Sequence, residues 1–257
     1  MRLFSLFFAL LLAVPLFAAQ PNTGTNTNRP PGAAGGLSQS IAAAVVTKLF
    51  VGVTGFTAQA EMRVLDKAGR EQMRTPMQYA WRAGAVRMDV DLAQIQSGNQ
   101  KPEMIAGLRR MGMDRQLSIM LPASGRLVMA YPTLQGFAEL PLPKQDAAVL
   151  VEEFKIERTE VSREKAAGRD CVKQRVILTG GSNRKVQANV WLALDLKNFP
   201  VQVEIEEGTQ VVAFRFSEVK LAAPDEAFFA PPAGYTRFPT MSALVQAAQR
   251  RLTLEKK

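Results

Sequence analysis

Histidine and cysteine, two residue types often used for acid–base or metal chemistry, are nearly missing from this sequence of 257, and its 23 Asp and Glu are scattered. Histidine is absent, which excludes imidazole general bases, Ser-His-Asp triads and histidine metal ligands. The single cysteine, Cys171, excludes an intramolecular disulfide and a multi-cysteine metal cluster. Cys171 falls on a predicted strand, and its two interpretations are a buried inert thiol and a reactive or intermolecular one.

Three short motifs match reactive or binding sites only in part. Asp89 and Asp91 share one face of a predicted strand, so they could hold a hard cation, but a solvated strand surface is the alternative. Residues 180–185 lack the spacing of a phosphate-binding loop and predict a hairpin turn. Met111 and Met113 offer two thioethers without a supporting Cys or His, which makes a poor copper site. We therefore predict no catalytic residue, no metal site and no cofactor.

Methionine is the unusual feature of the composition. Ten methionines follow Met1, and nine of them fall between Met62 and Met129. Because methionine is unbranched and polarisable, it is common both in packed cores and on surfaces that adapt to varied apolar ligands. We interpret the cluster as an apolar ligand-binding surface, and a simply packed Met-rich core is the alternative. The candidate binding residues are Met62, Met73, Met77, Tyr79, Trp81, Val86, Met88, Met120, Met129 and Trp191.

Alternating apolar and polar residues predict the strands that would position these side chains. Residues 56–64, 73–82 and 86–92 are joined by tight turns, which predicts an antiparallel meander with one buried and one solvated face. A hairpin is predicted over residues 117–131, followed by a Pro-punctuated loop over 132–143. Further strands are predicted over residues 154–160, 170–178, 185–194, 201–206 and 210–221.

Helical spacing is confined to four stretches that lie before, within and after the strands. These stretches are residues 37–50, 102–111, 144–152 and the region that follows Met241. The sequence shows neither βαβ alternation nor a fixed-period repeat. We therefore predict an α+β fold on one large, curved antiparallel sheet of about nine or ten strands.

The N-terminus has the features of a secretory signal peptide. Arg2 precedes an almost unbroken apolar run over residues 3–14, which Pro15 ends. The run is shorter than the roughly 20 residues of a membrane-spanning helix. We predict that residues 1–18 are a signal peptide cleaved after Ala18, and that the protein is exported to the periplasm. An uncleaved membrane anchor is the alternative.

Two flanking segments differ in composition from the central part of this basic chain, whose net charge is +9. Residues 19–36 are rich in Pro, Gly, Asn and Thr, which predicts a flexible leader. Residues 239–257 predict a basic amphipathic helix that could face an anionic membrane surface, or pack its apolar side on the core. We do not expect nucleic acid as a partner, because the aromatic residues fall on strands rather than between basic residues.

The order of these segments resembles the periplasmic outer-membrane lipoprotein carrier superfamily (LolA/LolB-like), and more closely its uncharacterised exported relatives. The likeness spans about residues 37–238, the predicted main domain. Besides the signal peptide and the helix before the strands, it rests on several structural motifs. These motifs are the strand from Pro76 to Trp81, the hairpin 117–131, Ala167-Gly168-Arg169-Asp170-Cys171, the run Val190 to Asp195, Phe199-Pro200 and the closing run Phe228 to Tyr235.

The resemblance implies an incomplete β-barrel with helices packed on its concave side and an apolar cavity that receives lipid acyl chains. We therefore expect a non-enzymatic carrier or binding protein, monomeric, whose partner is a lipid or a lipoprotein acyl chain. The alternative is an envelope protein-interaction module without a ligand cavity. Such a module would use an exposed sheet edge or the basic C-terminal helix.

Overall fold

A computed structural model describes residue 42 and residues 45–50, 52–98, 101–142, 144–181 and 185–254. The predicted signal peptide (1–18) and leader (19–36) lie outside the described residues. So do much of the predicted helix over 37–50 and the last three residues of the chain.

One large sheet makes up most of the described chain. Its strands are β1 (Gly55–Asp66), β2 (Glu71–Arg82), β3 (Ala85–Asp91), β4 (Gln96–Ser97), β5 (Arg115–Leu121), β6 (Arg126–Tyr131), β7 (Gly136–Pro141), β8 (Phe154–Ala166), β9 (Arg169–Gly180), β10 (Lys185–Ala193), β11 (Phe199–Glu207), β12 (Gln210–Lys220) and β13 (Thr236–Phe238). The hydrogen-bonded order is β13-β7-β6-β5-β3-β2-β1-β12-β11-β10-β9-β8, and β4 pairs with β2 off this path. Every pair is antiparallel except β13 with β7, which is parallel.

The described helices are α1 (Pro102–Met111), α2 (Lys144–Val151) and α3 (Met241–Leu254), and residues 45–47 are also helical. Helix α1 matches its predicted bounds because both ends are marked in the sequence. Pro102 occupies the first turn, and Gly112 ends the helix in the left-handed conformation (φ 71°). In the described part of the chain, no helix has the length and apolar character to cross a membrane.

The helices and the concave face of the sheet share one hydrophobic core. Leu108 of α1, Val149 of α2 and Leu244 of α3 are buried in the same cluster as the inward-facing strand residues. Within the described strands, β13 and β8 end the order without pairing to each other, so the barrel is incomplete. The predicted curved sheet with helices on its concave side is confirmed, with thirteen strands rather than nine or ten.

The prediction of a loop over residues 132–143 is wrong, because this stretch contains strand β7. Its Ala138 lies opposite Met129 of β6. Pro132 precedes the strand and Pro141 ends it, so neither proline interrupts the strand interior, where a missing N–H would break the ladder. The other two missed strands, β4 and β13, are too short to show an alternating pattern.

The outer face of the sheet is also covered near β3, β5 and β6. Leu117, Ile119 and Val128 pack there against Phe229, which belongs to the short helix Glu226–Phe229. Over residues 116–119, strand β5 is therefore buried on both faces, whereas Met120 on its concave side is only partly buried.

Candidate functional site

The pairing register places nine of the ten candidate residues on the concave face. Directly opposite residues on neighbouring strands point to the same side of a sheet. Two rows of side chains therefore cross β2, β3, β5 and β6 on this face. The first row is Trp81, Val86, Met120 and Leu127, and the second is Tyr79, Met88, Ser118 and Met129. Met73 and Met77 lie on the same face of β2 as Tyr79. Met62, on β1, lies directly opposite Thr75 of β2 and therefore shares this face. We call the nine candidate residues together the methionine surface.

Enclosure varies across the methionine surface. Its six buried members are Met62, Met77, Tyr79, Trp81, Val86 and Met129. Met73, Met88 and Met120 pack against the core but remain partly exposed. They lie on the adjacent strands β2, β3 and β5 but at different levels: Met73 near the start of β2, Met88 in the middle of β3 and Met120 near the end of β5.

The aromatic end of the methionine surface is filled. Tyr79 and Trp81 belong to a cluster of six rings whose contacting centroids lie 4.7 to 6.4 Å apart. The other four rings are Phe50, Phe56, Phe199 and Phe216. Burial within this cluster raises the pKa of Tyr79. These two candidates therefore pack as core, as the alternative interpretation of the cluster predicts.

Trp191, the tenth candidate, lies on the opposite face of the sheet. It sits opposite Lys173 and Gln202, and the Lys173 ammonium lies 4.7 Å from the indole centroid. Its Nε1 donates a hydrogen bond to Glu164 Oε1 (2.6 Å), which lowers the pKa of Glu164. The alternation in the sequence could have shown this, because Val190 points inward and its neighbour Trp191 must then point outward.

Two polar residues of the concave face, Gln116 and Ser118, were not among the predicted binding residues. Gln116 is 1% exposed, and its Nε2 donates to Ser118 Oγ (3.1 Å). The Ser118 hydroxyl donates in turn to the sulfur of Met129 (3.4 Å). Within the described chain, the Gln116 Oε1 atom is buried without a hydrogen-bond partner. One end of this short chain of hydrogen bonds is therefore an unused acceptor.

Three further polar atoms of the same face lack a partner among the described residues, and one of them is the Oγ of Ser97, opposite Met73. Thr75 is fully buried, and its Oγ1 has no hydrogen bond to any described residue. The indole Nε1 of Trp81 is in the same state at the other end of β2. Buried polar atoms in native proteins usually have a hydrogen-bond partner, so an unpaired one often marks a functional role or a partner from outside the chain. The methionine surface thus combines adaptable apolar side chains with unsatisfied hydrogen-bonding atoms.

The other residues examined for chemistry have structural partners. Asp89 pairs with Arg115 (3.2 Å), and Asp91 Oδ1 accepts the N–H of Ala93 (2.9 Å) at the start of a short helix. Cys171 is 1% exposed, and burial raises the pKa of its thiol. Among the described residues, no group of three or more Cys, Asp or Glu side chains is placed to hold a metal ion.

The remaining sequence motifs fall in the core or at the edge of the described chain. Met113 is fully buried, and Met111 packs against the core. Residues 182–184 of the predicted hairpin turn lie outside the described residues. On α3, Leu244 and Val245 are buried in the core, as expected for a helix that packs its apolar side. Of the two interpretations of the C-terminal helix, this geometry favours packing.

No protein-family model matches the sequence, and no curated protein matches it. Solved structures do match. The Mycobacterium tuberculosis lipoprotein LppX is similar over 73% of this chain and 99% of its own, with 11% identity and a TM-score of 0.40. The LolA superfamily protein NE2245 from Nitrosomonas europaea is similar over 75% and 97%, with 10% identity and a TM-score of 0.37. LprF from Mycobacterium bovis is similar over 74% and 99%, with 10% identity and a TM-score of 0.35. Among these structural neighbours is a LolA superfamily protein, from the superfamily that the sequence resembles.

Proposed function

We propose that this chain is an exported, non-enzymatic binding or carrier protein that holds an apolar ligand, an acyl chain, on the methionine surface. One observation carries the proposal. Of the nine candidate residues on the concave face, Met73, Met88 and Met120 stay partly exposed, and they lie on three adjacent strands. The periplasm is its proposed location, which the signal-peptide pattern of residues 1–18 supports.

The physical chemistry of methionine suits this role. Its thioether side chain has three rotatable bonds and no branch, so it can change shape around guests of different outline at little steric cost. Each ligand methylene removed from water contributes about 0.8 kcal/mol. A chain of several methylenes would therefore bind with useful affinity, provided that the three partly exposed side chains move aside or fold over it.

Titration with a fluorescent fatty acid, together with native mass spectrometry of protein purified from the envelope, tests the proposal. We expect saturable binding of one chain and a co-purified lipid mass. Met88→Trp should weaken binding at least tenfold, because the indole occupies the centre of the methionine surface.

Met104→Trp is the matched control, since Met104 lies on α1 outside the core cluster and is partly exposed. Thermal unfolding of both variants confirms that each one folds. Absence of saturable binding by the wild type contradicts the proposal, and so does an equal loss in the two variants.

The alternative, a protein-interaction module, is favoured by one feature. Strand β8 ends the sheet order, and most of its thirteen residues are exposed, so its free edge could add a partner's strand. However, β8 is rich in charge and has a bulge between Glu160 and Ser162, features with which edge strands avoid pairing. If β8 binds a protein, replacing the exposed Val161 by Asp should abolish co-purification of that protein and leave acyl binding unchanged.

A further inference from the structure

Of the two polar atoms in the Gln116 side-chain amide, Nε2 is hydrogen-bonded and Oε1 is not. Its Nε2 donates to Ser118, and the Ser118 hydroxyl proton is directed at the Met129 sulfur, so Ser118 offers no proton to Gln116 Oε1. Oε1 therefore stays an acceptor without a donor in the described chain. Gln116 lies opposite Val90 and shares its face with Ser118 and Met120, which places this oxygen on the concave side.

Gln202 shows that a buried glutamine in this sheet can be fully bonded. It is 7% exposed, and its Nε2 donates to Glu204 Oε1 (2.8 Å). Its Oε1 accepts a hydrogen bond from Arg215 Nε (3.1 Å). Gln202 and Gln116 thus have the same side chain and similar burial, but of the two only Gln116 has a buried oxygen without a hydrogen-bond donor. A buried oxygen of this kind is stabilised when a bound molecule supplies an N–H or O–H.

The charge of the surroundings restricts that molecule further. The inward-facing positions of β5 and of its two neighbours, β3 and β6, carry no Lys, Arg, Asp or Glu. Lys48, in the segment that packs on this core, donates its ammonium to the Leu150 carbonyl (2.6 Å). A carboxylate or phosphate beside Gln116 would be buried without a counter-charge from these strands, which is strongly unfavourable. Either anion would also accept hydrogen bonds rather than donate them, so a fatty acid bound on the methionine surface must keep its carboxylate away from Gln116.

We infer that the ligand of the methionine surface carries an uncharged hydrogen-bond donor, a hydroxyl or an amide N–H, beside its apolar chain, and that Gln116 Oε1 receives it. This inference rests on the proposed function and adds the class of ligand.

Displacement of a fluorescent fatty acid by dodecanol and by dodecyl methyl ether tests the inference. The two molecules share their apolar chain, but only the alcohol can donate a hydrogen bond. We expect Gln116→Met to shift the ratio of the two dissociation constants about tenfold towards the ether, by weakening the alcohol alone. The N-methyl and N,N-dimethyl amides of lauric acid form a second pair that differs in the same way. A shift in either pair supports the inference, and the pair that shows it identifies the donor.

Gln202→Met is the control, because it removes a buried glutamine from the other face of a distant strand and should leave both ratios unchanged. Unchanged ratios in Gln116→Met, with both ligands still bound, would overturn the inference and leave the proposed function standing. A wild-type protein that binds neither the fluorescent acid nor any of the four ligands would overturn the proposed function, and this inference with it.

Discussion

The two halves of the concave face are built differently. In the half formed by β9 to β12, which we call the valine half, the core consists of eleven apolar inward-facing residues that are each at most 2% exposed. These residues are Val176, Leu178, Val186, Ala188, Val190, Val201, Val203, Ile205, Val212, Phe214 and Phe216. The methionine surface occupies the other half, where three methionines remain partly exposed and Thr75, Trp81 and Gln116 each leave a polar atom unpaired.

This difference suggests that the valine half provides stability and that the methionine surface provides the ability to change shape. Valine and isoleucine have few accessible rotamers, so the valine half has one well-defined packing and no buried unpaired side-chain atom among its described residues. Methionine can repack, so its half can change shape at lower cost. We therefore assign the stabilising core to the valine half and ligand binding to the methionine surface.

Truncation of one residue in each half should give the largest contrast. Ile205→Ala should lower the free energy of unfolding by about 3 kcal/mol, because the site is sealed and leaves a cavity. Met120→Ala should cost only about 1 kcal/mol, since its side chain is already partly exposed. Urea denaturation measures both values. Equal losses in the two variants would remove the distinction between the halves.

The two buried glutamines sharpen the comparison with a smaller effect. Gln202→Met should cost about 2 kcal/mol, because it leaves Arg215 and Glu204 without their hydrogen-bond partner. Gln116→Met should change stability by less than about 0.5 kcal/mol in the absence of ligand, since it also removes an unpaired buried oxygen. Thermal unfolding of both variants checks the order, and a larger loss in Gln116→Met would contradict it.

Side chains on the outer face of the sheet should not show this difference in stability between the two halves. Glu61 lies on the outer face, and its substitution gives the smallest predicted effect. Burial raises the pKa of its carboxyl, but hydrogen bonds from Arg63 and Arg74 outweigh it and hold the pKa below the usual range. A lowered folded-state pKa contributes stability that is present above the pKa of the unfolded chain and is lost as the pH falls through the folded value.

Glu61→Gln should therefore cost less than about 1 kcal/mol at neutral pH, as for other ion pairs near the surface. The difference from the wild type should vanish in acid, once the wild-type carboxyl is protonated as well. Urea denaturation at a series of pH values measures it. A difference that grows towards low pH would have the wrong sign for this account.

Much of the fold was predictable from the sequence, because its strands alternate clearly. The meander β1 to β3, helix α1 and the hairpin of β5 and β6 lie within a few residues of their predicted bounds. The parallel pairing of β13 with β7 was not predictable, since it joins two short segments that are far apart in the chain. Nor did the sequence indicate how many residues the last strands would gain at their ends.

The candidate site shows why alternation alone is insufficient. On β5, alternation puts Leu117 and Ile119 on one face and Gln116 and Ser118 on the other, together with the predicted binding residue Met120. Alternation does not show that both faces are covered, and in the structure Phe229 covers Leu117 and Ile119 on the outer face. That contact joins residues more than a hundred positions apart, so it cannot be predicted from the sequence pattern around β5.

Photo-cross-linking tests the central claim most directly. A fatty acid with a diazirine on its chain is bound to the wild-type protein, irradiated, and located by mass spectrometry of peptides. The account predicts label on β3 and β5, near Met88 and Met120, which excess unlabelled fatty acid removes. Label on the valine half, or label that excess ligand does not displace, would contradict it.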